Sequence, residues 1–455
     1  MANHVKGNRA TTRRRPIRSP AVAVAALAVV VGSAVVAGCE VGDGSRSPVS
    51  QSGSPPPTDT ARALVEKPDF TRVVGHRGPR VPEDLRAPTR DKAQSKLWFA
   101  DGTWWALLFH TRSGTTQIHR LDARRQVWRT TGVVVDTRDG SRADVLWDGR
   151  KLYVATGTVY ESGWKSPPSR DAVRDGSAML QRFSYLPRSK SYQLDGGFPA
   201  QIHDGASESL VLAKDSTGQL WVTYTRGGSV FVNRTTGDDT SWGTPFALLG
   251  AAARINSDDS SALVAFGGDQ VGVFWSNQND RTFYFAVHDD SAADGAWRTE
   301  IAYGQGVAGC ARGCANDHMS LKALPDGRVF AAVKTANRQP DLPFIVLLVR
   351  STTGWTSHEA GTVKELHTRP LVVLDDERKL VHLLTVVPEE GGAVYSKTSD
   401  LDDIEFEPGL GDPFISGGGA INNPTSTKQT VGRESGLVVL ASDKSTSRYW
   451  YNTQR

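Results

Sequence analysis

Asp326-Gly327-Arg328-Val329-Phe330-Ala331 is a tight-turn pair running straight into a β-branched and aromatic stretch, and the same signal returns along the chain. Asp101-Gly102 precedes Trp104-Trp105-Ala106, Asp148-Gly149 precedes Leu152-Tyr153-Val154, and Thr217-Gly218 precedes Leu220-Trp221-Val222. Gly267-Gly268, Glu377-Arg378 and Ser435-Gly436 stand in the same relation to Val271-Gly272-Val273, Leu380-Val381 and Leu437-Val438-Val439. Asp-Gly and its relatives supply the positive φ of a two-residue hairpin turn. Apolar runs such as Ala143 to Trp147 and Leu210 to Ala213 lie before several of the turns, so each unit opens with a hairpin. The turns recur at about 56 residues, with the second unit stretched by an insertion near 157–177. No amphipathic helix of useful length interrupts them. This period, with four strands per unit, predicts an all-β β-propeller.

Seven turns predict seven blades. The last blade is short of a strand, since after Gly436 only Leu437 to Leu440 and Arg448 to Tyr451 read as strands. Phe70-Thr71-Arg72-Val73-Val74 is the expected outer strand, closing the ring from the N-terminal side and removing an open edge. Six blades with an extra C-terminal hairpin is the alternative. Trp104, Trp105, Trp147, Trp221 and Trp275 fall at strand positions and are expected to fill space between blades. Tyr160 and Trp164, in the insertion, are the expected exposed stacking residues.

Most units also close alike. Trp128, Trp242, Trp297, Trp355 and Phe406 fall 24 to 29 residues after their turns, most of them behind a Gly- or Asp-rich turn. Ser399-Asp400-Leu401-Asp402-Asp403 before Phe406, and His288-Asp289-Asp290 before Trp297, resemble degenerate Asp-box (BNR) repeats of the sialidase-like propellers. The resemblance covers most of 96–415 and implies the propeller fold. A sialidase would also carry an arginine triad, an acid Asp and a Tyr/Glu pair. Arg80-Val81-Pro82 is slightly similar to the family's Arg-Ile-Pro start, but no Tyr/Glu pair stands out. The implied fold therefore does not carry the activity with it.

The N-terminus gives an address. Lys6, Arg9, Arg13, Arg14, Arg15 and Arg18 precede an apolar run from Ala21 to Val36, and Val36-Ala37-Gly38-Cys39 resembles a bacterial lipobox. That resemblance implies cleavage after residue 38, lipidation of Cys39 and a protein held on the extracytoplasmic face of the cell membrane. A transmembrane anchor is the alternative, and the Arg13-Arg14-Arg15 run leaves the export route open. Residues 39–66, rich in Ser, Gly, Pro and Thr, read as a lipidated cysteine and a solvated linker, and 67–455 as the propeller. With 1–38 set aside, 47 basic residues face 49 acidic ones, a net of −2, which gives no basic face for nucleic acid. A monomer is expected.

Cys310 and Cys314 are then the two remaining cysteines, and in an oxidising compartment a disulfide between them is expected. Zinc held by Cys310, Cys314 and His318 is the rival. Calcium at acidic turns such as Asp258-Asp259 or Asp402-Asp403 is left open.

Propeller ligands sit over the axis, at the entry of the innermost strands. Aligning those entries collects Arg142 and Asp144, Glu208, Asp258 and Asp259, Asp317 and His318, His367 and Arg369, and Asn422 and Asn423. Polar residues at strand entries also serve as ordinary turn caps. Asn316-Asp317-His318-Met319-Ser320-Leu321-Lys322 is the most polar inner strand, with Lys334 following on the next. The expected ligand-binding set is Arg142, Asp144, Asp259, Asp317, His318, Lys322 and Arg369. Asp317, His318 and Glu208 are the candidate catalytic groups. No catalytic set is complete, so a lipoprotein that binds a glycan or cell-wall component on its axial face is the first reading. A glycoside hydrolase or lyase on surface carbohydrate is the second. A protein-interaction scaffold, which would show a large apolar face, is the third.

Overall fold

Each of the seven turn pairs lies between the first two strands of an antiparallel sheet, and the seven sheets are the blades of a propeller. The computed structural model describes residues 70–85, 87–90, 92–138, 140–158 and 176–455. The leader, Cys39, the linker and the insertion residues Tyr160 and Trp164 lie outside the described residues. The inner strands, in blade order, are Leu97–Ala100, Ser141–Trp147, Val211–Lys214, Ser261–Phe266, Ala315–Ala323, Thr368–Asp375 and Ile421–Thr425. Blade two carries a fifth strand, Ser191–Leu194, paired with Ala178–Leu186.

The seventh blade is closed from the N-terminal side, but by His76–Arg80 and not by 70–74. His76 pairs with Tyr451 and Arg77 with Trp450. Val74 makes only an isolated bridge to Ser416. His76-Arg77-Gly78-Pro79-Arg80 is a poor strand by propensity, yet an outermost strand tolerates proline because one of its edges donates to nothing. Gly78 is required by close approach: a Cβ there would stand 2.8 Å from the Cβ of Tyr449.

Apolar side chains fill every interface between blades. Trp98 and Trp105 pack with Val145 and Val154 between blades one and two, and Trp221 and Trp275 with Val211 and Leu263 between three and four. Trp104 is buried beside blade seven, and Trp147 packs half-buried against the first of these clusters. Burying each such side chain contributes about 1.5–3 kcal/mol, so the ring is held chiefly by these interfaces. Large exposed apolar side chains are scattered over several blades and connections (Val73, Val127, Leu194, Leu249, Ile301 and Leu366 among them) and form no single face.

The axis is crossed by the chain itself. After the closing strand, residues 87–90 and 92–96 run from blade seven into the central channel before blade one. The Thr89 amide donates to Ser442 Oγ at 3.0 Å. Gln94 Nε2 donates to the Leu210 carbonyl at 2.8 Å, and its own carbonyl accepts from Thr425 Oγ1 at 3.1 Å. Asp144, fully buried on blade two, then gathers three elements. It accepts from the Ser95 amide at 2.8 Å, from the Leu212 amide of blade three at 2.7 Å, and from the Lys428 ammonium of blade seven.

Asp144→Ala removes the ion partner of Lys428 and the acceptor of two backbone amides, those of Ser95 and Leu212, in one step. Urea unfolding of this variant is expected to show a loss of about 3–5 kcal/mol, the cost of breaking a buried pair by taking one partner away.

Candidate functional site

Above the crossing segment, at the entry of the inner strands, lies a polar cavity of about 360 Å³. Its walls come from blades three to seven and from the crossing segment. Glu208, Asp258, Asp317, His318, Lys334, Arg369, Glu389 and Asn423 line it, with Arg90 and Lys92 contributed by the segment.

Backbone irregularity aims several of these groups. The ladder of the blade-five inner strand slips by two residues between Ala315 and Met319, which frees Asn316, Asp317 and His318 from regular pairing. The blade-six strand shifts between Thr368 and Leu371, with Arg369 in the left-handed region at φ 49°. The blade-seven strand shifts between Asn422 and Thr425, with Asn423 at φ 54°. Three adjacent inner strands thus carry bulges at the same height, and each turns a polar side chain into the cavity. Bulges re-aim side chains in this way at functional sites, and left-handed non-glycine residues persist only where the surroundings impose them. A disulfide joins Cys310 to Cys314 just ahead of the blade-five bulge, so those two sulfurs are not zinc ligands.

Lys92 organises the acidic wall. Its ammonium stands 2.7 Å from Asp317 Oδ2, 3.1 Å from Glu208 Oε1 and 3.9 Å from Asp258 Oδ1, and donates to the Asp258 carbonyl at 2.9 Å. Burial opposes its charge, but Asp317, Glu208 and Asp258 outweigh burial and hold its pKa above the ordinary lysine value. Burial likewise opposes the Asp317 carboxylate, and His318 and Lys92 overcome it, leaving Asp317 well below the usual carboxylate range. Asp258 is pushed up, first by burial and then by the Asp317 charge.

His318 Nδ1 lies 3.0 Å from Asp317 Oδ1 and 3.0 Å from Asn316 Oδ1. An ionised carboxylate only accepts, so Nδ1 carries the hydrogen and Nε2 is left with its lone pair. Burial lowers the His318 pKa against the opposing pull of Asp317, so the ring is neutral at neutral pH. On the next strand of the same blade Lys334 pairs with Glu389, and that contact lowers the Glu389 pKa. Arg369 Nε donates to Asn423 Oδ1 at 2.8 Å.

Of the residues expected from the sequence, Glu208, Asp317, His318 and Arg369 come together here. Arg142, Asp144, Asp259 and Lys322 do not. Arg142 lines a separate crevice beside Lys96 and Tyr449. Asp144 is consumed by the three contacts described above. Asp259 points away from the cavity and accepts from Ser276 Oγ at 2.7 Å, the Asn256 amide at 2.8 Å and the Gln278 amide at 3.0 Å. Its neighbour Asp258 faces the cavity instead, from a turn ahead of the inner strand that the Asp259 amide closes onto the Asn256 carbonyl at 3.1 Å. Lys322 lies five residues further along its strand than Asp317, at the other end of the axis. His367 is held between Thr385 Oγ1 and the Gly409 carbonyl. Lys92, Arg90 and Glu389 had no place in the expected set. Arg90 and Lys92 stand just before the first inner strand, in a charged stretch outside every repeat, and that position was the available signal. Among the described residues no group of three or more His, Cys, Asp and Glu side chains is arranged to hold a metal ion. At the acidic turn considered for calcium, Asp402 pairs with Arg328 at 3.1 Å.

No family model matches the chain, and no curated protein matches it in sequence. Solved structures similar in shape include a Dyadobacter fermentans protein of unknown function, at TM-score 0.46 and 9% identity, covering 70% of this chain and 96% of that one. The α-L-arabinanase of Penicillium chrysogenum complexed with arabinobiose has TM-score 0.44 and 12% identity, over 73% and 99% of the two chains. A polysaccharide lyase has TM-score 0.44 and 10% identity, over 86% and 93%. At these values the likeness bears on neither ligand nor reaction.

Lys92→Met leaves the buried carboxylates of Glu208 and Asp317, with Asp258 at their rim, around an apolar side chain. The variant is expected to lose about 3–5 kcal/mol at pH 7.5. Without the ammonium, burial and mutual repulsion raise the carboxylate pKa values above their unfolded ones, so folding takes up protons and stability is regained as pH falls. Urea unfolding at pH 7.5 and pH 5.5 is expected to show the smaller deficit at the lower pH.

Proposed function

We propose that this protein is a lipoprotein, tethered through Cys39 to the extracytoplasmic face of the membrane, whose propeller binds a glycan or cell-wall component in the axial cavity. One observation carries the reading: bulges on three adjacent inner strands aim His318, Arg369 and Asn423 into one cavity. The formal charges of the lining balance, with Arg90, Lys92, Lys334 and Arg369 against Glu208, Asp258, Asp317 and Glu389. A balanced wall of donors and acceptors favours a hydroxyl-rich ligand over a strongly charged one. Among the described residues the lining carries no Trp, Tyr or Phe, and the recognition the lining offers rests on hydrogen bonds.

The Asp317–His318 pair favours a second reading, a lyase or glycoside hydrolase acting on surface carbohydrate. Asp317 orients the ring, and the Nε2 lone pair of a neutral His318 is available to take a proton from a sugar carbon or a water. Asp317 and Glu208, both against Lys92, are not placed to act as general acids; Asp258, whose pKa is raised, is the carboxyl suited to that role.

Calorimetric titration of the full chain against neutral, amino-sugar and uronate oligosaccharides and wall fragments tests the first reading. Arg369→Ala and Asn423→Ala are each expected to weaken binding by about tenfold or more. Affinity is expected to fall as pH drops below 6.5, where His318 Nε2 begins to be protonated and ceases to accept. Failure of every glycan to bind, or indifference of both variants, overturns the reading. New reducing ends that disappear in His318→Ala would favour the second. Separately, Cys39→Ser is expected to shift the protein from the membrane pellet to the soluble fraction, and retention in the pellet would argue against a lipid tether.

A further inference from the structure

The crossing segment divides the axial channel. On its other side, toward the far ends of the inner strands, is a second cavity of about 150 Å³, whose wall includes Ala93 of the segment and Leu146, Val211, Leu263 and Leu321 of blades two to five. It lies about 15 Å along the blade-five strand from Asp317, at the usual rise per residue, and shares no lining residue with the cavity above.

Two buried lysines reach this apolar space, and they are not equivalent. Lys428 is satisfied, since its ammonium donates to Asp144 and to the Leu212 carbonyl. Lys322 is almost fully buried on blade five, and its hydrogen bond to Ser95 Oγ is long at 3.4 Å. The charged groups around it are Lys428, which repels it, and Asp144, already shared among three donors; at the rim, Lys214 is held by Asp148 at 2.6 Å. Burial first, and then Lys428, push the Lys322 pKa down to about 7. An ammonium in such a place lacks a counter-ion, and an incoming anion would supply it.

We propose that this second axial cavity is a binding site for a small monocarboxylate with an apolar body, its carboxylate on Lys322 and its hydrocarbon against the aliphatic wall. The volume suits a body the size of benzene. The apolar walls argue against a sugar, and the single cation argues against a dianion. This site is independent of the glycan reading of the upper cavity and stands or falls without it.

Benzoate, benzyl alcohol and acetate, titrated calorimetrically into the full chain at pH 6.5, separate the two contributions. Benzoate is expected to bind about tenfold or more tighter than benzyl alcohol, which has the body without the charge, and than acetate, which has the charge without the body. Lys322→Met, which removes a desolvated cation and keeps the side-chain length, is expected to abolish the preference for benzoate over benzyl alcohol. Ala265→Leu, narrowing the cavity without touching the lysine, is expected to weaken benzoate while leaving acetate unchanged. Equal affinity for benzoate and benzyl alcohol in the parent chain overturns the proposal, as does an unchanged preference in Lys322→Met.

Discussion

Lys92 is shared by three blades, and the axial cavity depends on it. Glu208, Asp258 and Asp317 come from the entries of blades three, four and five, and no rule of propeller construction brings three carboxylates together at an axis. Left alone they would repel one another and resist burial. A single ammonium within 4 Å of all three makes the arrangement tenable. The consequence reaches one step further: because Lys92 helps keep Asp317 ionised, Asp317 can only accept, and that fixes which nitrogen of His318 carries the hydrogen. The chemistry of the histidine is thus set by a lysine that does not touch it.

The rest of the site is a matter of backbone. An ideal inner strand alternates its side chains between the two faces of its blade and offers few of them to the axis. Blades five, six and seven break that regularity at the same level, and two of the residues concerned, Arg369 and Asn423, adopt left-handed backbone. Such positions cost energy locally. They are tolerated here because each is fixed on both sides: Arg369 and Asn423 bind each other, the Asn423 amide is capped by Asn422 Oδ1, and the blade-five bulge follows directly on a disulfide. The first two strands of blades one to four pair without such a bulge, and among the described residues blades one and two contribute nothing to the cavity, while Glu208 and Asp258 reach it from the connections ahead of the inner strands of blades three and four.

The blades were legible in the sequence because the hairpin turn is a local event. Positive φ and a following β-rich run are written in adjacent residues, and all seven such turns fall between the first and second strands of a blade. The closing strand was misplaced by a few residues because its own sequence, with Gly78 and Pro79, argues against a strand; only the closeness of Tyr449 explains the glycine, and that closeness is tertiary. The site was half legible for the same reason. Aligning strand entries found Glu208, Asp317, His318 and Arg369, since each sits in the repeat. It chose Asp259 over Asp258, because which of two neighbours faces the axis depends on the turn at 256–259 and on the Ser276 and Gln278 partners that hold Asp259 away, none of which the strand pattern encodes. Lys92 escaped because it belongs to no blade.

That unrepeated segment also governs what the cavities can bind. In the upper one, most charged groups are already held: Lys92 by three carboxylates, Lys334 by Glu389, and Arg369 by hydrogen bonds to the Asn423 side-chain oxygen and the Glu389 carbonyl. A ligand that demanded any of these groups outright would have to break an internal pair and leave its partner buried and alone, which costs more than the new bond returns. What remains for a visitor is the spare hydrogen-bonding capacity of groups that are already held, such as the Nε2 lone pair of His318. Hydroxyl groups use such capacity without displacing anything. Below the segment the balance is reversed: the walls are apolar and one ammonium is undercompensated, so there an anion gains where above it would compete. Ten residues of chain, laid across the axis, give the two ends of one channel opposite chemical preferences.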